Sequence, residues 1–305
     1  MVRQIGLIGV PSSAGAHWPG QEKAPQALRA AGLLEQLRLA GCSVVDHGDL
    51  PSVRSHLDKK QRHPQNLTTV IQVAQRVAEH VEVAMRGSEI PLVIGGDCTI
   101  ELGVLSGFLR AGEDPALLYF DGGVDLYTPA TNPTGILDSM GVAHMIREPG
   151  AAEELCRIGP RLPLMLADDI LFFGYGPNPG DTNGLERRVL EQRSMLRYPL
   201  EAIQGKVKQA AEEARLRLEQ KAKRFVVHFD VDVIDFVDFP IADVPQFNIG
   251  LTFEEAMDCL AVFASSPYFG GLVITEFNPD HTDEDGELTA TFVQGVAQAL
   301  AQDQC

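Results

Sequence analysis

Three short acidic motifs and one isolated glutamate hold the residues of this chain best suited to chemistry. Gly95-Gly-Asp-Cys-Thr99, Asp121-Gly-Gly-Val-Asp125, Asp230-Val-Asp232 and Glu276 each follow or close a short apolar run. Asp121, Asp125, Asp230 and Asp232 offer four hard oxygen donors, and Cys98 adds a soft sulfur. Side chains alternate along a strand, so Asp230 and Asp232 are expected on one face, with His228 in phase two residues earlier. Asp121 and Asp125 can reach the same point if the chain turns after Phe120. Alone, an Asp-x-Asp usually marks a solvated turn. Several carboxylates converging on one spot repel strongly unless a cation stands between them. A bound divalent metal is the expected resolution; a chance acidic rim is the alternative.

Bringing these motifs together requires a frame, and the apolar pattern supplies one. Ile5–Val10, Ser43–Asp46, Pro91–Ile94, Ala116–Phe120, Ile170–Phe173, Met195–Tyr198, Phe225–Val233 and Gly271–Phe277 read as eight strands. Between them, helical spacing marks 24–40, 70–87, 102–109 and about 184–193, 199–222, 252–265 and 288–302. Strands alternating with helices imply an α/β fold with a mostly parallel sheet covered on both faces. No repeat or linker divides the chain, so one domain spanning 1–305 is expected. In such sheets ligands sit beyond the carboxyl ends of the strands, which is where the acidic motifs fall.

Composition narrows the function classes. The 305 residues carry 25 Lys and Arg against 42 Asp and Glu, a formal charge of −17. That excess of acid argues against nucleic-acid or anionic-membrane partners. No run approaches the ~20 apolar residues of a membrane span. The apolar stretch after Met1 is shorter than a secretion signal needs, so a cytoplasmic location is expected. Cys42, Cys98, Cys156, Cys259 and Cys305 are odd in number and scattered, a pattern of reduced thiols. The loop from Pro11 to Gly20 lacks a P-loop lysine, which argues against nucleotide binding. His17-Trp18 on that loop could line a substrate mouth, and the acidic run 280–285 could gate it; plain surface loops are the alternative.

The motifs, in order, resemble those of the ureohydrolases: arginase, agmatinase, formiminoglutamase and related manganese enzymes. Gly9-Val-Pro-Ser-Ser-Ala-Gly15 is similar to the family's first loop, and Gly95-Gly-Asp-Cys98 to its Gly-Gly-Asp-His motif. Asp121-Gly-Gly-Val-Asp125 resembles Asp-Ala-His-x-Asp, and His228-Phe-Asp-Val-Asp-Val-Ile-Asp235 resembles Ser-x-Asp-x-Asp-x-x-Asp. Thr275-Glu-Phe-Asn-Pro279 is similar to the strand bearing the family's catalytic glutamate. The resemblance implies a three-layer α/β/α fold, two manganese ions and hydrolysis of a guanidino or amidino C–N bond. It implies that one ion takes Cys98, Asp121, Asp125 and Asp230, and a second takes Asp121, residue 123, Asp230 and Asp232. It also implies a trimer or hexamer and a small cationic substrate.

Two departures alter that expectation. Cys98 replaces a ligand histidine, and a thiolate suits zinc, iron or nickel better than manganese. Gly123 replaces another, and glycine has no ligating side chain. One ion held firmly, with the second weak or absent, is the expected outcome; His228 is a candidate replacement donor, set back roughly 6.6 Å along its strand. By the same resemblance Glu276 pairs with the substrate guanidinium, Asp125 takes the proton from attacking water, and Tyr127 lies in the substrate-recognition stretch. His144 occupies roughly the place of a proton-shuttling histidine, or is simply a histidine on a helix face. A non-catalytic relative with a binding or regulatory role is the alternative to a hydrolase.

Overall fold

A computed structural model describes residues 2–178, 181, 184–283 and 285–301. All eight expected strands are present: β1 (Gln4–Gly9), β2 (Ser43–Asp49), β3 (Ile90–Ile94), β4 (Ala116–Phe120), β5 (Ile170–Phe173), β6 (Leu196–Tyr198), β7 (Phe225–Asp230) and β8 (Phe269–Thr275). They form one parallel sheet in the order β2-β1-β3-β8-β7-β4-β5-β6. The helices are α1 (Ala24–Ala30), α2 (Leu33–Leu39), α3 (Leu67–Arg86), α4 (Ile100–Arg110), α5 (Gly141–Met145), α6 (Glu153–Cys156), α7 (Leu185–Gln192), α8 (Leu200–Ile203), α9 (Val207–Lys221), α10 (Phe253–Ala264) and α11 (Glu287–Leu300). The C-terminal tail from residue 302, with Cys305, lies outside the described residues; the other four cysteines are free and buried.

Strand alternation explains the layers. Leu92, Ile94, Leu118, Phe120, Val227 and Phe229 face one core, built with α1, α2, α9, α10 and α11. Val93, Leu117, Tyr119, Val226 and Val273 face the other, built with α3, α4 and α5. Both faces of the central strands are therefore dry, which is why these strands read as continuous apolar runs. Fully burying one Leu, Ile or Phe contributes ~1.5–3 kcal/mol, so each central strand is anchored by several such terms.

Beyond shifts of a few residues at element ends, such as β8 stopping at Thr275 rather than Phe277, three differences from expectation stand out. The helix expected over 24–40 is broken by Gly32 at φ 87°, and the one over 199–222 by Gly205 at φ 74°, left-handed positions where glycine avoids the Cβ clash. The third difference reaches the site. β7 stops at Asp230, and Val231–Val233 form a 3-10 turn, so Asp230 and Asp232 do not alternate along one strand. The cause is local: the Asp230 side chain accepts from the Asp232 backbone N–H at 2.8 Å, a cap that turns the chain.

β3, β8, β7 and β4 are consecutive neighbours in the middle of the sheet. At ~4.8 Å between strands, their carboxyl ends lie within ~15 Å of one another. The four acidic motifs are the continuations of these four strands.

Candidate metal centre

Each motif reaches the centre through backbone geometry that its own polar side chains hold. After β3, Gly95 and Gly96 turn the chain into Asp97-Cys98-Thr99, the approach to α4. Asp97 organises that loop, accepting from Gly15 N at 3.0 Å, Thr99 N at 3.1 Å and the Thr99 hydroxyl. Its carboxylate is thus engaged by the protein, leaving Cys98 to face inward. After β4, Gly122 N donates to Asp232 Oδ1 at 2.9 Å, which stitches two motifs together, and Gly123 N donates to Asp121 Oδ1 at 2.5 Å, which tightens its own turn. After β8, Glu276 takes φ 63°, and Asp125 takes φ 48°; both are unusual for residues with a Cβ, and strain of that kind gathers at functional sites.

Four donors converge from three strands and their continuations: Cys98 after β3, Asp121 after β4, and His228 and Asp230 on β7. One ligating atom each from Cys98, Asp121, His228 and Asp230 lies within 4.8 Å of all the others. Cys98 Sγ is 2.7 Å from Asp230 Oδ2, and His228 Nε2 is 3.4 Å from Asp121 Oδ2. A second group shares the sulfur: Cys98, Asp138 and Glu276. The cleft above them has a volume of about 450 Å³. Among the described residues its lining includes six carboxylates, from Asp121, Asp125, Asp138, Asp230, Asp232 and Glu276, and no lysine or arginine. Two buried oxygens there, Asp121 Oδ2 and Glu276 Oε1, have no hydrogen-bond partner among the described residues.

The electrostatics follow from that crowding. Burial, reinforced by Asp121 and Asp138, pushes the Asp125 carboxyl well above the usual carboxylate range. Burial with the charges of Asp232 and Asp121 does the same to Asp230, and burial with Asp138 and Asp230 to Glu276. Asp138 is raised by burial and Asp97, and Asp232 by burial and Asp121 to about 7. Burial, then Asp230, lifts the Cys98 thiol. His228 moves the other way in charge: burial alone would lower it, but Asp121 and Glu101 together carry it up to about 9. The shifts of these carboxyls, the thiol and His228 all say that the centre favours added positive charge, as protons or as a metal ion.

Of the residues expected from sequence, Cys98, Asp121 and Asp230 meet in the tight group, and Glu276 lies in the second. Asp125 and Asp232 line the same cleft outside both groups. Tyr127 does not line it; its hydroxyl accepts from Asn178 Nδ2 at 3.4 Å, and Asn178 is the lining residue. His144 is not brought to the cleft either. It is buried in α5, with Nδ1 2.7 Å from Met140 O and Nε2 accepting from Ala152 N at 3.1 Å, and burial lowers its pKa to about 4. Both ring nitrogens serve the backbone, so it sits in the core as a satisfied histidine. His17 lines the cleft mouth, whereas Trp18 is 68% exposed. Asp280 of the acidic run is paired with Lys23 at 2.5 Å and is not among the lining residues; Glu284 of the same run lies outside the described residues.

Sequence reasoning missed Asp138, Glu101 and Gln21. Asp138 Oδ1 accepts from Cys98 N at 2.8 Å, and it is the one carboxylate between Asp125 and Glu148, a signal that could have singled it out. Gln21 Nε2 donates to Glu276 Oε2 at 2.6 Å. Glu101 Oε2 is 3.3 Å from His228 Nδ1, and a fully buried glutamate in the first turn of a helix is the unusual feature that marks it.

Comparison with known proteins agrees with this arrangement. The Arginase family profile matches residues 3–301. Arginase-1 of Homo sapiens is 31% identical over 301 residues, covering 98% of this chain and 92% of that protein. Arginase from Bacillus subtilis superposes with a TM-score of 0.85 at 24% identity, covering 99% of this chain and 100% of that one. Formimidoylglutamase from Bacillus subtilis superposes at 0.73 with 17% identity, covering 98% and 86%. The structural likenesses establish the three-layer fold, and the sequence matches go further: the chain belongs to the arginase family.

Proposed function

We propose that this protein hydrolyses a C–N bond of a linear guanidino or amidino compound, using one firmly held divalent ion. The observation that carries the proposal is the cleft itself: among the described residues its lining holds six carboxylates and no lysine or arginine, and two buried carboxylate oxygens lack a hydrogen bond, Asp121 Oδ2 facing the His228 imidazole at 3.4 Å. A buried, unpaired carboxylate oxygen costs several kcal/mol unless something positive meets it. Asp121 Oδ2 lies among the tight donor group and suits a metal; Glu276 Oε1 suits the N–H groups of a cationic substrate.

The residues fit one ion better than two. A Cβ built on Gly123 would stand 3.3 Å from Asp121 Oδ1 and 3.7 Å from Asp125 Oδ1, so a side chain there would point between two candidate ligands. Glycine leaves that position without a nitrogen donor. Cys98, Asp121 and Asp230 would hold the ion, with Asp125 and Asp232 at the edge of the site. Such an ion supplies Lewis acidity and brings the pKa of water down toward neutrality.

The chain's own groups do the remaining work. Gln21 fixes one oxygen of Glu276, leaving the other free to take a guanidinium N–H and set the planar carbon over the donor group. Asp125 is placed to accept the proton that water loses, its Oδ2 held by the Tyr119 hydroxyl at 2.5 Å. The water oxygen bonds to the central carbon, the bond from that carbon to the departing nitrogen breaks, and the proton passes from Asp125 to the amine. A net charge of −17 favours approach of a cationic substrate.

One observation favours a second reading. Cys98 Sγ and Asp230 Oδ2 satisfy each other at 2.7 Å without an ion, as in a non-catalytic relative that keeps the fold for binding. The two readings separate in one assay. Protein loaded with zinc, manganese or nickel is incubated with a panel of guanidino and amidino compounds, and amine release is followed. Metal-dependent release from any of them supports the hydrolase; none from any, with metal bound, supports the binder.

A further inference from the structure

We propose that Cys98, Asp121, His228 and Asp230 form a single four-coordinate site of sulfur, nitrogen and two oxygens for a zinc-type ion, with His228 supplying the nitrogen that Gly123 cannot. This rests on reading the cleft as a metal centre and adds which atoms hold the ion and which ion they select. The four donors lie mutually within 4.8 Å. Zinc bonds of about 2.0–2.3 Å place the corners of a tetrahedron about 3.3–3.7 Å apart. His228 Nε2 to Asp121 Oδ2, at 3.4 Å, already matches such an edge. Cys98 Sγ to Asp230 Oδ2, at 2.7 Å, is a thiol hydrogen bond. That pair opens by about 1 Å as the thiol proton leaves and the ion enters.

The support behind His228 is what distinguishes a ligand from a filler. A metal-bound histidine typically donates its other ring N–H to a carboxylate, which fixes the tautomer and aims the free nitrogen at the ion. Glu101 stands in that role, its Oε2 3.3 Å from His228 Nδ1. Both side chains are fully buried, and His228 is the one side-chain partner of Glu101 among the described residues. Tyr119 stacks on the imidazole with centroids 4.2 Å apart and planes 3° from parallel, which locks the ring. Thr275 Oγ1 lies 3.4 Å from both Cys98 Sγ and His228 Nε2, between the two softer donors. Asp121 Oδ2, 2% exposed as a residue and without a hydrogen bond, turns its lone pairs into the same space. A thiolate and an imidazole favour zinc over manganese, whose preference is for oxygen.

Cobalt and zinc titrations of the whole chain, stripped of metal, test this directly. The expected result is one equivalent bound, zinc ahead of manganese in competition, and a cobalt adduct with a sulfur-to-cobalt charge-transfer band and intense four-coordinate visible bands. Cys98→Ser should abolish the charge-transfer band and weaken zinc binding at least tenfold. His228→Gln should shift the visible bands and weaken zinc by a hundredfold or so, and Glu101→Gln, which touches no ion, by about 10–100-fold with the sulfur band retained. Should His228→Gln fail to fold by circular dichroism, Cys98→Ser and Glu101→Gln decide the matter. A wild-type cobalt adduct without the sulfur band, or zinc affinity unchanged in Glu101→Gln, overturns the assignment. Metal-dependent hydrolysis without the sulfur band overturns this ligand set and leaves the hydrolase standing. The band with no hydrolysis of any guanidino compound does the reverse.

Discussion

The cleft has two sides that hold their polar groups differently. On one side Cys98, His228, Asp230 and Glu276 sit on or just past β3, β7 and β8, neighbours in the middle of the sheet, with both faces buried. On the other, residues 121–140 leave β4 and run through Gly123, Asp125, Tyr127 and Asp138 before α5. The strand side presents sulfur, nitrogen and oxygen donors at contact distance. The loop side carries a glycine, with no ligating side chain, at 123, places Asp125 by a left-handed backbone, and turns His144 into the core. Donors on a rigid frame stay convergent, whereas a loop can exchange its chemistry without unfolding the sheet.

Substitution on the strand side should have the largest effect. Asp230→Asn removes one donor charge from the tight group and unpairs Cys98; metal binding by calorimetry should fall at least a hundredfold and hydrolysis with it. Binding as strong as wild type would place the ion elsewhere. Glu276→Gln should leave metal stoichiometry unchanged while lowering kcat/KM by about 10–150-fold, the ~1.5–3 kcal/mol typical of a hydrogen bond to a charged group. Loss of metal in that variant would move Glu276 from substrate to ion.

On the loop side, Gly123→His tests whether the missing donor is what limits the site. Its Cβ meets Asp121 Oδ1 at 3.3 Å, a tight contact that a carboxylate can relieve by shifting a few tenths of an ångström. Metal stoichiometry should rise toward two per chain, read by elemental analysis. A value fixed at one would mean that the loop has drifted beyond rescue at that position.

The two sides also share an electrostatic consequence. Asp232 titrates near 7 in the fold against 3.8 in its ordinary state, and His228 near 9 against 6.5. In both cases the folded protein binds more protons than the unfolded chain, so stability falls as pH rises. The Asp232 contribution is lost between about 4 and 7, and that of His228 between about 6.5 and 9. Metal-stripped protein should therefore melt at progressively lower temperature from pH 5 to pH 8.5. Added zinc, which replaces those protons, should raise Tm most at the alkaline end. A Tm gain that shrinks with rising pH would mean that zinc does not enter among these groups.

Much of this was legible in the chain because it depended on local pattern. Eight apolar runs became eight strands, and acidic motifs that follow strands were bound to share the carboxyl edge of a parallel sheet. The breaks at Gly32 and Gly205 were hidden because helical periodicity carries across them. The turn at Asp232 was hidden because its cause is one capping bond from Asp230. Glu101 and Asp138 were invisible for a different reason: each matters through a partner 127 or 40 residues away, across packing that no window of sequence contains. His144 was left open between a proton shuttle and a helix-face histidine for another reason: its partners Met140 O and Ala152 N are near in sequence, but only the folded backbone turns them onto its ring.

Elemental analysis of protein purified without chelator bears most directly on the central claim, that acidic strand ends converge here to hold a cation. One tightly bound divalent ion per chain, retained through gel filtration, is the predicted result. Protein that emerges without metal and takes up none when offered zinc, manganese or nickel would contradict it.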